Sequence, residues 1–335
     1  MQGLQRQLRE IAGPLFGVIL IWIVIFAMAP IARDNAFDSI ENVLENATGS
    51  GLFIMCCGMT IALIGNCLDL SVGSIYALVS VVVGQLLKAG VPIPVAIFAG
   101  LGAGALCGVI NGAIVVRTGI PTLIATLGTQ MAFRGVADMI GAGVDMEQFG
   151  NTFDWIGSGL IGPMVCSAIA FFIIWFILAK TRFGFQVFAQ GGNEEVARLA
   201  GIPVKRNIVL VYMICGIMAG LASIVYTARV DFAYVDRGQG WELLAIAGVV
   251  IGGTSMFGGI GGVGKTVLGV LIYESIFAGL IYLHYDAFWQ QVATGVVLIL
   301  AVWIDHTQRR AGASRRTGAN TANKRSRWRR VGTWI

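Results

Sequence analysis

The sequence predicts an all-α integral membrane protein of about ten transmembrane helices. Three observations lead there. Of 335 residues, 56% are hydrophobic and only 12% are charged, with 46 glycines besides, whereas soluble globular chains carry about 25% charged residues. So little charge cannot cover a water-soluble protein of this length, and so much apolar material excludes a disordered chain. The apolar residues also fall in runs of roughly the 20 residues that a bilayer core about 30 Å thick demands. Finally, the basic residues gather in alternate loops.

In chain order the runs are 13–32, 48–65, 71–87, 93–116, 121–141, 157–179, 207–227, 241–257, 266–283 and 287–304. They leave a polytopic domain, 1–305, and a basic tail, 306–335. The first run has Arg6 and Arg9 ahead of it, and Ala27-Met28-Ala29 mimics a cleavage site. It is longer than a signal-peptide core of about 7–15 residues, and Pro30 would follow the cut, so an uncleaved span is expected. With the N-terminus inside, the inner loops hold Arg6, Arg9, Arg117, Lys180, Arg182, Arg198, Lys205, Arg206, Lys265 and the basic residues from Arg309 to Arg330. The outer loops hold Arg33, Lys88, Arg229 and Arg237, and they carry the acids Asp34, Asp38, Glu41, Glu45, Asp145, Glu147 and Asp154. Both termini are therefore expected inside. The tail, with Trp328 among its arginines, reads as a lipid contact and not as a nucleic-acid anchor.

The six cysteines include no CxxC pair and lie almost wholly in apolar runs, so they read as small buried hydrophobes. With His284 and His306 the only histidines, no metal site is expected.

Gly100, Gly104, Gly108 and Gly112 stand at strict i+4 spacing and cut a smooth groove down the fourth span. Small residues let helices approach closely in lipid. The groove serves packing within one bundle or dimerisation.

Polar residues inside spans face cavities or partner helices. Thr122, Thr126 and Gln130 share a face of the fifth span, Arg134 and Asp138 continue it, and Thr129 adds a further hydroxyl. Arg134 and Asp138 can pair with each other, or the face can line a hydrophilic path. Glu274 stands mid-span, and Asn111 interrupts the fourth span. Asp69 and Ser71 sit in a break that is either a simple helix cap or a re-entrant turn. The segments 64–74 (IGNCLDLSVGS) and 251–261 (IGGTSMFGGIG) form a loose repeat, which implies two halves of inverted topology.

Gly259 to Thr266 satisfies the P-loop pattern to the letter. A P-loop cradles phosphate between a strand and a helix of a soluble sheet. Here it joins two spans with too little chain after it to build such a sheet, so a plain connecting loop is expected.

The longest inner loop, 180–206, contains a short helix. Asn193 caps it, Glu194 and Glu195 lie at its positive end, and Gly201 and Pro203 end it. Val196 and Leu199 are available for docking to a partner, or the helix lies on the membrane surface.

At this loop the chain resembles a known family. TRFGFQVFAQGGNEEVARLAGIPVKR looks like the ATPase-coupling loop of the permease subunits of bacterial ABC importers for monosaccharides, of the ribose, arabinose, xylose and galactose type. GMTIALIGNCLDLSVGSIYAL is similar to that family's second-to-third-span signature. GALCGVINGAIVVRTGIPTLIATLGTQMAFRGVA and GWELLAIAGVVIGGTSMFGGIGGVGKTVLG resemble two further blocks, so the likeness runs from about 50 to 305. It implies a transport subunit that makes and breaks no bond itself and has no cofactor of its own. ATP and magnesium would be held by a separate cytoplasmic ATPase, and sugar delivered by a periplasmic binding protein. A second permease copy or paralogue and the lipids of the bacterial inner membrane complete the partners.

The coupling role falls on Asn193, Glu194, Glu195, Arg198, Leu199 and Gly201, and Asp69 and Ser71 match the family's acid and serine. Asn66-Cys67 stands where the family usually has Gly-Gly, and the family usually has no Lys-Thr after its glycine-rich loop. The alternatives are a proton- or ion-coupled transporter using Glu274, Asp69 or Asp138, and a permease for branched-chain amino acids.

Overall fold

The computed structural model describes residues 36–142 and 153–282, and part of the stretch 286–307. Among these the chain is helical and contains no strand. The helices are α1 (Ala36–Gly49), α2 (Leu52–Ile64), α3 (Val72–Lys88), α4 (Ile93–Thr118), α5 (Thr122–Gly141), α6 (Asp154–Gly157), α7 (Ile161–Lys180), α8 (Arg182–Gly192), α9 (Glu194–Leu199), α10 (Val204–Val230), α11 (Trp241–Ile251) and α12 (Val263–Tyr282).

Helices α4, α7, α10 and the Val263–Leu280 part of α12 are long and apolar enough to cross a membrane. A fifth span results if Val43–Gly49 and α2 count as one, although they are bent by 61° at their break. The chain is a multi-pass membrane protein. The described residues of the expected run 287–304, namely 288–289, 291–297, 299–300 and 302–303, are helical, whereas the run 13–32, the signal-peptide question and nearly all of the basic tail fall outside the described residues. The acidic loop residues other than Glu45 do so too, in whole or in their side chains. Glu45 pairs with Arg229 at 2.8 Å.

Two runs need correction. The run 241–257 is helical only to Ile251, and α11 has 11 residues. At 1.5 Å per residue that is about 16 Å, half a bilayer core. The run 48–65 is broken at Gly51, whose φ is +78°. A Cβ at Gly51 would lie 2.8 Å from the Cα of Ala222, so only glycine lets this bend seat against α10.

Helix α10 is the central element and packs along α4, α2 and α3. Its seam with α4 is the glycine groove. A Cβ at Gly104 would stand 2.5 Å from the carbonyl oxygen of Gly216, and one at Gly112 would stand 2.6 Å from Cα of Val209. At Gly108 it would overlap the Tyr212 carbonyl. Gly100 instead admits Val83 and Val79 of α3. The groove is thus filled by helices of the same chain and is not a dimerisation face. Five of the six cysteines are buried and none is paired, as expected.

The two repeat segments share one local geometry. After α2, Asn66 has φ +56°, and the N–H of Cys67 donates to the Ala62 carbonyl at 2.8 Å. After α11, Gly253 has φ +93°, and the N–H of Thr254 donates to the Val249 carbonyl at 3.2 Å. Both are left-handed helix stops in which a bond reaches back over the last turn. Asn66 replaces glycine because asparagine tolerates this region better than other side chains. Asn66→Ala should therefore cost roughly 1–2 kcal/mol, and Asn66→Gly almost nothing. Thermal unfolding of the purified variants checks this, and equal stabilities would contradict it.

Candidate functional site

The sequence-predicted residues divide into four groups, which the fold places in different parts of the bundle. The first is a fully buried node. The carboxylate Oδ1 of Asp69 accepts from the Ser71 backbone N–H at 2.9 Å and from its hydroxyl at 2.7 Å. Asn111 on α4 donates its amide to Ser71 Oγ at 2.7 Å and to Asp69 Oδ1 at 3.4 Å. Ser71 precedes α3 but does not cap it with its side chain. Asp69 makes the turn, and the turn is held by α4. The far oxygens, Asp69 Oδ2 and Asn111 Oδ1, have no hydrogen-bond partner among the described residues.

The second group is the face of α5, whose polar side chains are already engaged within the bundle. The hydroxyl of Thr126 donates back to the Thr122 carbonyl at 2.9 Å, and that of Thr129 to the Thr126 carbonyl at 3.2 Å. Gln130 donates to Glu242 Oε1 on α11 at 2.8 Å. Arg134 donates to the carbonyl oxygens of Val235, Arg237 at 3.0 Å and Gly73 at 3.3 Å. Its side chain is held by these carbonyls, and the exposed carboxylate of Asp138 also acts on it electrostatically. Sequence reasoning missed Glu242. An acid directly after a glycine-rich turn, opening an apolar run, was the available signal.

The third group surrounds a cavity of about 790 Å³. Its wall combines the α2–α3 turn (Asn66, Cys67), the α4–α5 turn with Thr122, and Glu194 and Arg198 of α9. Of the expected path residues, only Thr122 lines it. Glu274 lies apart. It is buried, at 9% exposure, on α12, which packs against α11, α1 and α2.

The fourth group is the 180–206 loop. It holds the expected short helix and one more, α8, ahead of it. Asn193 caps α9 by accepting from the Val196 N–H at 3.0 Å, and Gly201 follows with φ +81°. Glu194 pairs with Arg198 at 3.1 Å, while Val196 and Leu199 stand 61% and 84% exposed. Gln190 donates to the Gly65 carbonyl at 3.1 Å, tying α8 to the α2–α3 turn. Gly191 sits so close to the Ile64 carbonyl that no side chain would fit, and that same carbonyl accepts from the Gly259 N–H at 2.9 Å. Both repeat turns therefore abut the end of α8. This also accounts for the P-loop look-alike. Its Gly259 packs against α8, and Thr266 is buried with its hydroxyl 2.6 Å from that of Thr60, where no phosphate could reach it.

Residues 43–302 match the family described as branched-chain amino acid transport system, permease component. The chain belongs to this permease family. Among similar proteins is the ribose import permease protein of Escherichia coli (strain K12), 34% identical over 86% of this chain and 92% of that one. Another is the D-allose transport system permease protein of the same strain, 36% identical over 87% and 91%. A third, the galactose/methyl galactoside import permease protein of Haemophilus influenzae, is 33% identical over 82% and 89%. No solved structure matches the chain. The permease resembles sugar permeases over nearly its whole length, although its family description names branched-chain amino acids.

Proposed function

We propose that this permease carries a monosaccharide inward across the bacterial inner membrane as the transport subunit of an ABC importer. A separate cytoplasmic ATPase holds ATP and magnesium and drives it, and a periplasmic binding protein loads it. A second permease copy or paralogue completes the path. Ten spans in two inverted halves, with both termini inside, fit this reading, as do basic inner loops and a lipid-contacting tail. The similar geometry of the 65–67 and 252–254 turns supports the repeat.

One observation carries the proposal. Thr122 and the α9 residues Glu194 and Arg198 line the same cavity. A push on α9 by a partner therefore moves a wall of the path directly. A neutral sugar needs hydrogen-bonding groups along that path and little net charge. Asp69, Ser71 and Asn111 with Thr122, Thr126 and Gln130 supply them, next to Arg134. Asn193, Glu194, Glu195, Arg198, Leu199 and Gly201 shape the coupling element.

The Glu194–Arg198 pair is exposed, and such helix pairs contribute only about 0.3–0.5 kcal/mol. Replacing Glu194 and Glu195 with Ala and Leu199 with Asp should leave thermal unfolding nearly unchanged. ATPase co-purification and sugar uptake should each fall at least about tenfold, since Leu199→Asp sets an unpaired charge in an apolar contact, which costs roughly 2 kcal/mol or more. Unchanged uptake and co-purification would refute the coupling role.

A further inference from the structure

Helix α10 has 27 residues and is about 40 Å long, enough to traverse the whole bilayer core. The chain does not stay at its outer end. The levels can be read from hydrogen bonds to α3, which runs parallel to α10. Ser223 reaches the Tyr76 carbonyl at 2.6 Å, and Thr227 reaches Ser80 at 2.9 Å. After α10, the Tyr234 N–H donates to Ser80 Oγ at 3.3 Å. Four residues later Gly238 lies against Gly73, where a Cβ on Gly238 would stand 2.5 Å from the Gly73 carbonyl oxygen. From Ser80 to Gly73 along α3 is a descent of roughly 10 Å. Residues 231–240 thus fold back into the bundle, and α11 starts there as a half-length helix. Non-helical backbone at membrane depth needs its polar groups satisfied by protein. Arg134 does this for the Val235 and Arg237 carbonyls, and Gln130 grips Glu242 just beyond.

This segment lies above the inner cavity. Gln130 and Arg134 are eight and twelve residues along α5 from Thr122, or about 12 and 18 Å above the cavity wall. The geometry points to the 231–240 segment as the outer seal of the transport path, latched shut by Gln130–Glu242 and Arg134. The seam is tight. A Cβ at Gly73 would stand 2.5 Å from Glu242 Oε2 and overlap the Gly238 carbonyl. The latch is polar and spans two elements, α5 and the 231–242 stretch, so it can release when those elements part, whereas an apolar plug would have no specific bond to break. For the outward-facing state, these bonds must open together. The inference rests on the orientation and transport role proposed above.

The test reads the seal without relying on sugar. Val116, which lines the inner cavity, is replaced by Cys in the full chain, and the mostly buried native thiols set the background. Right-side-out vesicles are treated with a membrane-impermeant methanethiosulfonate. Labelling of Val116→Cys from outside should be at background. Adding Gln130→Glu, which sets two carboxylates against each other, should speed it at least tenfold. Adding Glu242→Gln as well restores an amide–carboxylate bond and should return labelling to background. Gly73→Ala wedges the same seam without changing charge and should also speed it. Labelling from the inner face of inverted vesicles, equal throughout, shows that the variants are folded. Fast outer labelling of the parent overturns the seal, as does slow labelling of both Gln130→Glu and Gly73→Ala. So does a swap that labels as fast as Gln130→Glu. The expected labelling pattern together with no sugar uptake by the assembled importer would keep the seal and refute the transport reading instead.

Discussion

Replacing Gly108 with Leu is expected to abolish recovery of folded protein. The magnitude follows from what the side chain meets. A Cβ at Gly108 overlaps the Tyr212 carbonyl and lies 2.7 Å from Cα of Met213. Both are backbone atoms of α10, so no rotamer change relieves the clash. The helices must separate, and α10 also carries the contacts to α2 and α3. Losing that packing costs more than about 4 kcal/mol, beyond the usual range of single substitutions. In lipid no water-driven force compensates, since a parted helix pair is simply filled by acyl chains. Gly102 on the same helix is the control, because nothing lies within 4 Å of a Cβ there. Gly102→Ala should be neutral or stabilise the helix by about 0.5–1 kcal/mol. The measurement is the yield of monodisperse protein in detergent with its thermal unfolding. Equal yields for Gly108→Leu and Gly102→Ala would refute the seam.

The second expected result is that Ser71→Ala destabilises the fold by about 2–4 kcal/mol and stops uptake. Ser71 Oγ stands between Asp69 and Asn111, donating to one and accepting from the other at 2.7 Å each. Removing it leaves the Asn111 amide with only its longer, 3.4 Å contact to Asp69. It also takes one donor from a buried carboxylate that already has an unpartnered oxygen. An orphaned buried polar group costs about 1–3 kcal/mol, and more when charged. Asn111→Leu should cost less than Ser71→Ala, because it leaves the Ser71 hydroxyl its bond to Asp69. The double variant should lose less than the sum of the two, since the groups act as one network. Thermal unfolding of the three variants tests this. Additive losses, or a Ser71→Ala loss under about 0.5 kcal/mol, would show that the node is not a unit.

Much of the coupling loop was legible because its signals are local. Asn193 before two acids and Gly201 before Pro203 define α9 by rules that act within one turn. Helix α8 was missed. Its residues 182–192 mix glycine, glutamine and aromatics in no long apolar run, and its place is set by Gly184 seating on the end of α7 and by Gln190 and Gly191 seating against distant backbone. The α5 face was legible as polar but not in its use. Spacing at i, i+4 places Thr122, Thr126, Gln130 and Arg134 together, yet Gln130 and Arg134 find partners on the 235–242 stretch, more than 100 residues away, while Thr126 bonds its own helix. Glu242 was overlooked for the same reason, as its partner is on another helix.

The sequence by itself determined that the chain is helical and membrane-embedded, and which family it resembles. Those properties sum over many residues, or rest on motifs whose physics is contained in a few consecutive positions. Only the tertiary structure decided what each polar residue does. It showed that the α4 glycines meet α10 of the same chain. It showed too that Asp69, Ser71 and Asn111 close on one another, and that Arg134 reaches the carbonyls of Val235, Arg237 and Gly73. The physical reason is that a buried hydrogen bond or a backbone contact needs two surfaces at one distance. Sequence spacing states only which face of one element each residue occupies.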